Sequence, residues 1–227
     1  LTENGDGEDQ EVFAEYLAES REKLFRVRSL RPAPFIDNKI VTAWNGLMIA
    51  ALARAAVVFE NPDYLKTAAA AAVALKKSSG RDKSRLWRLG QVAGTTSATP
   101  AFLDDYAYLI WGLIELDRAG GNPEFLEWAK ELTASVNELF WDEKGERFFY
   151  SGSDAEELIA RNLELHDGVL PGSNSVMIAN LLNLAAAGGD PEWREQAEKT
   201  LGRGAGFAAK TALLYLHYLS VLSDYLP

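Results

Sequence analysis

The sequence predicts an all-α fold, an (α/α) toroid in which an inner ring of helices is wrapped by an outer ring. Three observations carry that reading. The first is the stretch Phe102 to Phe140, where a helix apolar on nearly every side from Tyr106 to Leu116 meets Gly120-Gly121 and restarts at Asn122-Pro123. Asn caps the first free amides of a helix, and Pro at the first helical position has a preset φ and gives up a donor without a partner. The second is that this hairpin recurs: the restart signals Asn61-Pro62-Asp63, Asn122-Pro123-Glu124 and Asp190-Pro191-Glu192 stand 61 and 68 residues apart. The third is that each copy pairs a helix apolar almost all round with an amphipathic one, as in Glu124, Glu127, Glu131 and Glu138 set against Phe125, Leu126, Leu132, Val136 and Leu139. A helix apolar on all faces must be covered, whereas an amphipathic one forms an outer layer.

In chain order, residues 1–10 read as a flexible lead-in, and 11–227 as a single toroid domain or a fragment of one. From Glu11 to about Arg28, Val12, Phe13, Tyr16, Leu17, Leu24 and Phe25 recur at helical spacing, and Arg31-Pro32-Ala33-Pro34 ends that helix. The first inner helix follows from Asn45, and its outer partner stops at Gly80 behind Lys76 and Lys77, whose charge suits a helix C-terminus. Arg85 to Gln91 is short and bounded by Gly, which fits a strand or ribbon, and Gly94 to Pro100 is a flexible run. After the central hairpin, a turn at Trp141 to Gly145 and a strand at Arg147 to Tyr150 predict a small β-hairpin. A connector, Ser151 to Pro171, leads to the third hairpin from Asn174, and a last helix is expected over Phe207 to Tyr225. The count is eight helices.

Composition narrows the function. At 227 residues with 48% apolar residues and six Trp, the chain buries a substantial core. A formal charge of −10 argues against a nucleic-acid backbone, which needs clustered Lys and Arg. There is no Cys, and with two His a tight transition-metal site is not expected. Val41 to Phe59 is close to membrane-spanning length but contains Asn45, Gly46 and Arg54, so it is assigned to the protein interior and no membrane partner is expected. No secretory leader opens the sequence, which points to the cytoplasm, although Leu1 in place of Met reads as an excised or processed fragment. No phosphate loop, dinucleotide fingerprint or nucleophile elbow appears, and no cofactor is predicted.

Aligning the three copies on their restart signals gives the candidate site. Asn45, Tyr106 and Asn174 each stand 16 residues before the restart, and just upstream lie Asp37 and Lys39, Asp104 and Asp105, and His166 and Asp167. Parallel inner helices would gather these clusters on one rim. Carboxylates beside the aromatics Trp44, Trp87 and Tyr106 suit a polyhydroxylated ligand, and two carboxylates across a pocket supply the acid and base of glycosidic chemistry. Asp104, Asp105 and Asp167 are therefore the candidate catalytic residues. Arg31, Asp37, Lys39, Trp44, Asn45, Trp87, Tyr106, His166 and Asn174 are the candidate binding residues. The structural alternative is that acidic residues at a helix start serve capping alone, that Asp167 before Gly168 is a turn residue, and that His217 packs in the core.

These same blocks, RPAPFIDNKIVTAWNGLMIAALA, FLDDYAYLIWGLIEL, FW with its FFY strand, and DGVLPGSNSVMIANLLNL, resemble the thioredoxin-domain proteins of the spermatogenesis-associated (DUF255) family over roughly Arg21 to Gly204. The resemblance implies a helical domain similar to six-hairpin glycosidases and N-acylglucosamine 2-epimerase, with an N-terminal thioredoxin-like domain missing from this chain. Against six hairpins, twelve helices, the eight found here make an incomplete toroid. Its open edge is expected either to be covered by Glu11 to Arg28 and the last helix or to pair with another copy. The sequence departs from the family at Phe35, Asn38 and the order Gly172-Ser173, and the first two changes remove titratable groups from the rim. Two functions follow: a carbohydrate-binding or carbohydrate-processing pocket, hydrolase-like or epimerase-like if active, or a non-catalytic scaffold accompanying the thioredoxin-like domain. A tetratricopeptide-type solenoid fits poorly, because the long connectors have no place in such an array.

Overall fold

The computed structural model describes residues 7–80, 85–90, 99–120, 122–156 and 159–225. The chain divides into two compact units, Leu1–Asn38 and Lys39–Pro227. The first unit contains α1 (Gly7–Ser29), which begins four residues before Glu11. Its surface carries i,i+4 ion pairs, Glu19 with Lys23 and Glu22 with Arg26, beside exposed Phe13, Tyr16, Leu24 and Phe25.

The second unit is built from hairpins. Helices α2 (Thr42–Val58), α4 (Leu103–Arg118) and α6 (Ser173–Ala186) are each followed by an antiparallel partner, α3 (Pro62–Ser78), α5 (Glu124–Phe140) and α7 (Pro191–Ala208). A 3-10 turn (Ala212–Leu214) leads to α8 (Leu216–Tyr225). Each predicted restart forms the same bond: the N–H groups of Asp63, Glu124 and Glu192 donate to the side-chain oxygens of Asn61, Asn122 and Asp190. The residue just past each inner helix is left-handed, at Glu60 (φ 50°), Gly120 (φ 85°) and Gly188 (φ 77°), which closes the helix and turns the chain back.

The inner layer runs α2, α4, α6 and α8, with α4 at its centre: 12 of its residues are buried, so it has almost no free face. Helices α2 and α4 are parallel and cross closely at Gly46 and Gly112. A Cβ on Gly46 would stand 2.5 Å from the Leu109 nitrogen, and one on Gly112 would stand 2.7 Å from the Gly46 oxygen. The core continues through Ile49, Leu109, Leu113, Leu132, Phe140, Phe148 and Met177. The amphipathic α5 buries Trp128, Leu132, Val136 and Leu139 against it, as its sequence pattern predicts.

The ribbon expected at Arg85 to Gln91 is present in its described part. Leu86, Trp87 and Leu89 form bridges to Gly80, Pro100 and Val41, so the segment threads between the starts of α2 and α4. The predicted hairpin is β1 (Trp141–Asp142) against β2 (Arg147–Phe148), shorter than the reading to Tyr150. Most of Gly94 to Pro100 lies outside the described residues.

One element departs from its expected bounds. The helix predicted over Phe207 to Tyr225 is split, because α7 runs on through Gly202, Gly204 and Gly206 to Ala208. Gly204 has no side chain where the Tyr218 ring packs, whereas a Cβ on Gly202 or Gly206 would meet nothing within 4 Å. The break comes at Thr211, and α8 restarts where His217 N–H finds a carboxylate, that of Asp167.

Candidate functional site at the rim of the inner helices

The N-termini of the inner helices gather on one rim, because two aspartates tie them together. Asp105, at the third position of α4, accepts from the Phe102 N–H at 2.9 Å, which closes its own helix start. Its other oxygen accepts from the Ala43 N–H at 3.0 Å and so caps α2, 62 residues away in sequence. Asp167 does the same further round the ring. One oxygen accepts from the Gly172 N–H at 2.7 Å and the Ser175 hydroxyl at 3.2 Å at the start of α6. The other accepts from the His217 N–H at 2.7 Å at the start of α8. A third carboxylate, Glu164, accepts from the Ser173 hydroxyl at 2.7 Å.

Arg88 is the cation of this rim. The ribbon delivers it there, since Thr42 N–H donates to the Arg88 carbonyl and Arg88 N–H to the Thr99 carbonyl. Its guanidinium lies 3.2 Å from both Asp104 and Asp105 and stacks over the Phe102 ring. Burial works against its charge, but the two carboxylates hold it protonated. Burial, then the charge of Asp104, pushes the Asp105 carboxyl up to about 7, against Arg88 and the two backbone donors. Two tyrosines complete the cluster. The Tyr108 hydroxyl donates to the Pro171 carbonyl at 2.6 Å, and the Tyr150 hydroxyl lies close to Asp104. Both phenols are raised, first by burial and then by the surrounding carboxylates, Glu164 and Asp104 among them.

The predicted residues fall into three groups. Asp104, Asp105, Asp167, Asn45, Tyr106 and Asn174 all stand at or beside inner-helix starts, as the alignment of the copies requires. Of the carboxylates, Asp105 is fully buried, and Asp104 keeps 15% of its side chain exposed. Tyr106 is 2% exposed with its hydroxyl accepting from Leu86 N–H, and burial pushes that hydroxyl up to about 12, so it packs in the core and is no ligand platform. Asn174 is buried and clamps β2 through both its amide groups, at Phe148 N–H and Phe148 carbonyl. Asn45 caps back to the Val41 carbonyl. The second group reaches solvent: Trp44 is 63% exposed, Trp87 is half-buried, and Lys39 and His166 are exposed. The third, Arg31 and Asp37, belongs to the other unit and is exposed there.

Arg88, Tyr108, Tyr150 and Glu164 belong to the rim and are absent from the predicted set. Tyr108 was findable, because it stands one helical turn after Asp104 and shares its face. Arg88 was not, since nothing in RLWRLGQ says which helix starts the ribbon will touch. Among the described residues no group of three or more His, Cys, Asp or Glu is placed to hold a metal. No helix among them is long and apolar enough to cross a membrane.

Parallel inner helices, antiparallel outer partners and a polar rim define an incomplete (α/α) toroid. Solved structures agree on the fold. A D-mannose isomerase matches with a TM-score of 0.60 at 16% identity, over 75% of this chain and 43% of that one. The cellobiose 2-epimerase of Bacillus thermoamylovorans matches at 0.59 and 17%, over 73% and 44%. An inactive variant of the α-1,6-mannanase GH76A of Salegentibacter sp., with two neighbouring aspartates changed to asparagine and in complex with α-1,6-mannotriose, matches at 0.57 and 14%, over 72% and 46%.

No family model matches the chain. Spermatogenesis-associated protein 20 of Mus musculus is 34% identical over 183 residues, 77% of this chain and 23% of that protein. The Homo sapiens protein is 34% identical over 199 residues, 84% and 25%. The chain belongs to the family of these proteins, and it spans about a quarter of the length of the relatives it matches.

Proposed function

We propose that this chain supplies one arc of a carbohydrate-binding toroid, with Asp104 as the carboxylate that meets the ligand and Asp105 and Asp167 as the residues that hold the rim in place. The observation that carries this reading is the division of labour at the rim. Asp105 is sealed beneath Arg88, and the half-buried Asp167 spends both oxygens on helix starts of other segments. Asp104, among the described residues, bonds only the neighbouring Asp105 N–H, Arg88 and Tyr150, and it keeps 15% of its side chain exposed. Carboxylate, guanidinium and phenol together offer the donors and acceptors that sugar hydroxyls need, and exposed Trp44 gives a stacking face. The mannanase whose two neighbouring aspartates were changed in an inactive variant lends weight to the Asp104-Asp105 pair. A hydrolytic or epimerising reaction would need a second ligand-facing acid or base, for which the half-buried Glu164, whose charge acts on Tyr108 and Tyr150, is a candidate.

Titration calorimetry with mannose, cellobiose and α-1,6-mannotriose tests the reading. Saturable binding that weakens about tenfold or more in Asp104→Asn is expected, which is the loss of one charge-assisted hydrogen bond. Absence of binding to all three sugars would overturn it.

A second reading is a scaffold that presents clients to a thioredoxin-like domain. It is favoured by the seam of Trp44, Met48 and Val58 on one face of α2, exposed by 63%, 58% and 73%. Under that reading Trp44→Ala leaves sugar affinity unchanged.

A further inference from the structure

The opposite end of the inner helices carries a second polar constellation that the rim does not use. Glu115 lies 11 residues after Asp104 on α4, roughly 16 Å along the helix axis. It is buried at 6% exposure, and one oxygen, Oε1, accepts three bonds. The donors are Arg54 of α2 at 2.9 Å, Arg118 at 3.2 Å and the Trp111 indole at 3.3 Å. Arg54 also stacks on the Trp111 ring, 5.5 Å from its centre, and Arg118 donates to the Asn183 side chain of α6 at 2.7 Å. The two guanidiniums are thus fixed in direction, yet 58% and 50% of their side chains remain exposed.

They line one wall of a groove between α2 and α4 whose other surfaces are Ala53, Val57, Val58 and Ala119. Two guanidiniums face a single carboxylate, so the groove holds one positive charge in excess within a chain of net charge −10. Glu115 does not neutralise itself by taking up a proton. Burial favours its neutral form, but Arg54 outweighs that and holds the carboxyl below its ordinary range. Cations near helix C-termini also offset the macrodipole, and that role alone would account for an arginine at either place. It does not account for a groove with an apolar floor, or for two arginines converging on one side of it.

We propose that this groove is a second binding site, for a small organic carboxylate whose charge pairs with Arg54 and Arg118 and whose carbon skeleton lies on Val57, Val58 and Ala119. Arginine forks match planar carboxylates in geometry, and Glu115 already shows both guanidiniums engaging one. The site is separate from the rim and does not rest on the carbohydrate reading.

Titration with glucuronate, and with glucose as its uncharged counterpart, tests it in the wild type, Arg54→Gln, Arg118→Gln and Asp104→Asn. The expected result is glucuronate binding stronger than glucose binding, weakened about tenfold or more by either arginine change, and retained at the groove in Asp104→Asn, which weakens sugar binding at the rim alone. Circular dichroism confirms that each variant is folded. Glu115→Gln, which frees both arginines from their internal partner, is expected to bind glucuronate more tightly if it folds. Glucuronate affinity no better than that for glucose, or untouched by Arg54→Gln, would overturn the proposal. A purely structural role for the arginines predicts that outcome, together with lower thermal stability in both variants.

Discussion

Asp105 on α4 accepts a hydrogen bond from the Ala43 N–H at the start of α2, 3.0 Å away, so the capping group of one inner helix is supplied by the next. A buried carboxylate in that position satisfies two helix starts and one guanidinium at once, and its removal strands both helix starts and leaves Arg88 with Asp104 alone.

Asp105→Ala is therefore expected to cost about 3–5 kcal/mol, because it leaves buried backbone donors and part of the Arg88 charge without a partner. Urea unfolding measures it, and a loss below about 1 kcal/mol would mean the rim is held by other contacts.

The same group sets a pH dependence. Its carboxyl titrates near 7 in the folded chain and in the ordinary carboxylate range when unfolded. The folded state then holds a proton that the unfolded state has lost, so this stabilising contribution is present at acid pH and disappears as pH rises to about 7. The thermal midpoint of wild type should fall relative to that of Asp105→Asn between about pH 5 and about pH 8. An equal gap at both would show that Asp105 stays ionised.

Asp167→Ala uncouples the starts of α6 and α8. The expected loss is about 1–3 kcal/mol, two caps' worth, with faster amide exchange at 211–217 and little change in α2. Uniform loss of protection across the chain would instead make Asp167 part of the global core.

Gly46→Ala and Gly112→Ala each place a methyl against the backbone of the neighbouring helix, at 2.5 Å and 2.7 Å. Neither backbone can give way without parting α2 from α4, so each change is expected to destabilise by about 1–3 kcal/mol despite the higher helix propensity of Ala. Stabilisation by either would refute the close crossing.

Glu60 occupies the left-handed position that Gly120 and Gly188 hold in the other two hairpins. Glu60→Gly is expected to raise stability by about 0.5–1 kcal/mol, since a residue with a Cβ is strained there. Differential scanning calorimetry reads this as an upward shift of the midpoint.

Much of the architecture was legible before any coordinates, and the reason is local. The Asn-Pro and Asp-Pro restarts, the glycines after the inner helices and the apolar periodicity each act within a few residues, so each was readable where it stood. The break at Thr211 was not, because it depends on the Tyr218 ring filling the space over Gly204 and on a carboxylate 50 residues upstream. The common position of Asn45, Tyr106 and Asn174 at helix starts followed from counting, but their roles did not. Tyr106 and Asn174 are consumed by internal bonds to Leu86 and Phe148.

The sequence by itself determined the hairpins, their order, and which helix of each pair is the inner one, since periodicity and capping are short-range effects written in consecutive residues. The full cover it predicts for Val41 to Phe59 fails, however, at the exposed Trp44, Met48 and Val58. Tertiary structure alone decided which carboxylates reach solvent and which are spent on neighbouring helix starts. That choice depends on distances between segments some 60 residues apart, and on the burial that lets Asp105 outrank Asp104 as a structural partner while leaving Asp104 at the surface.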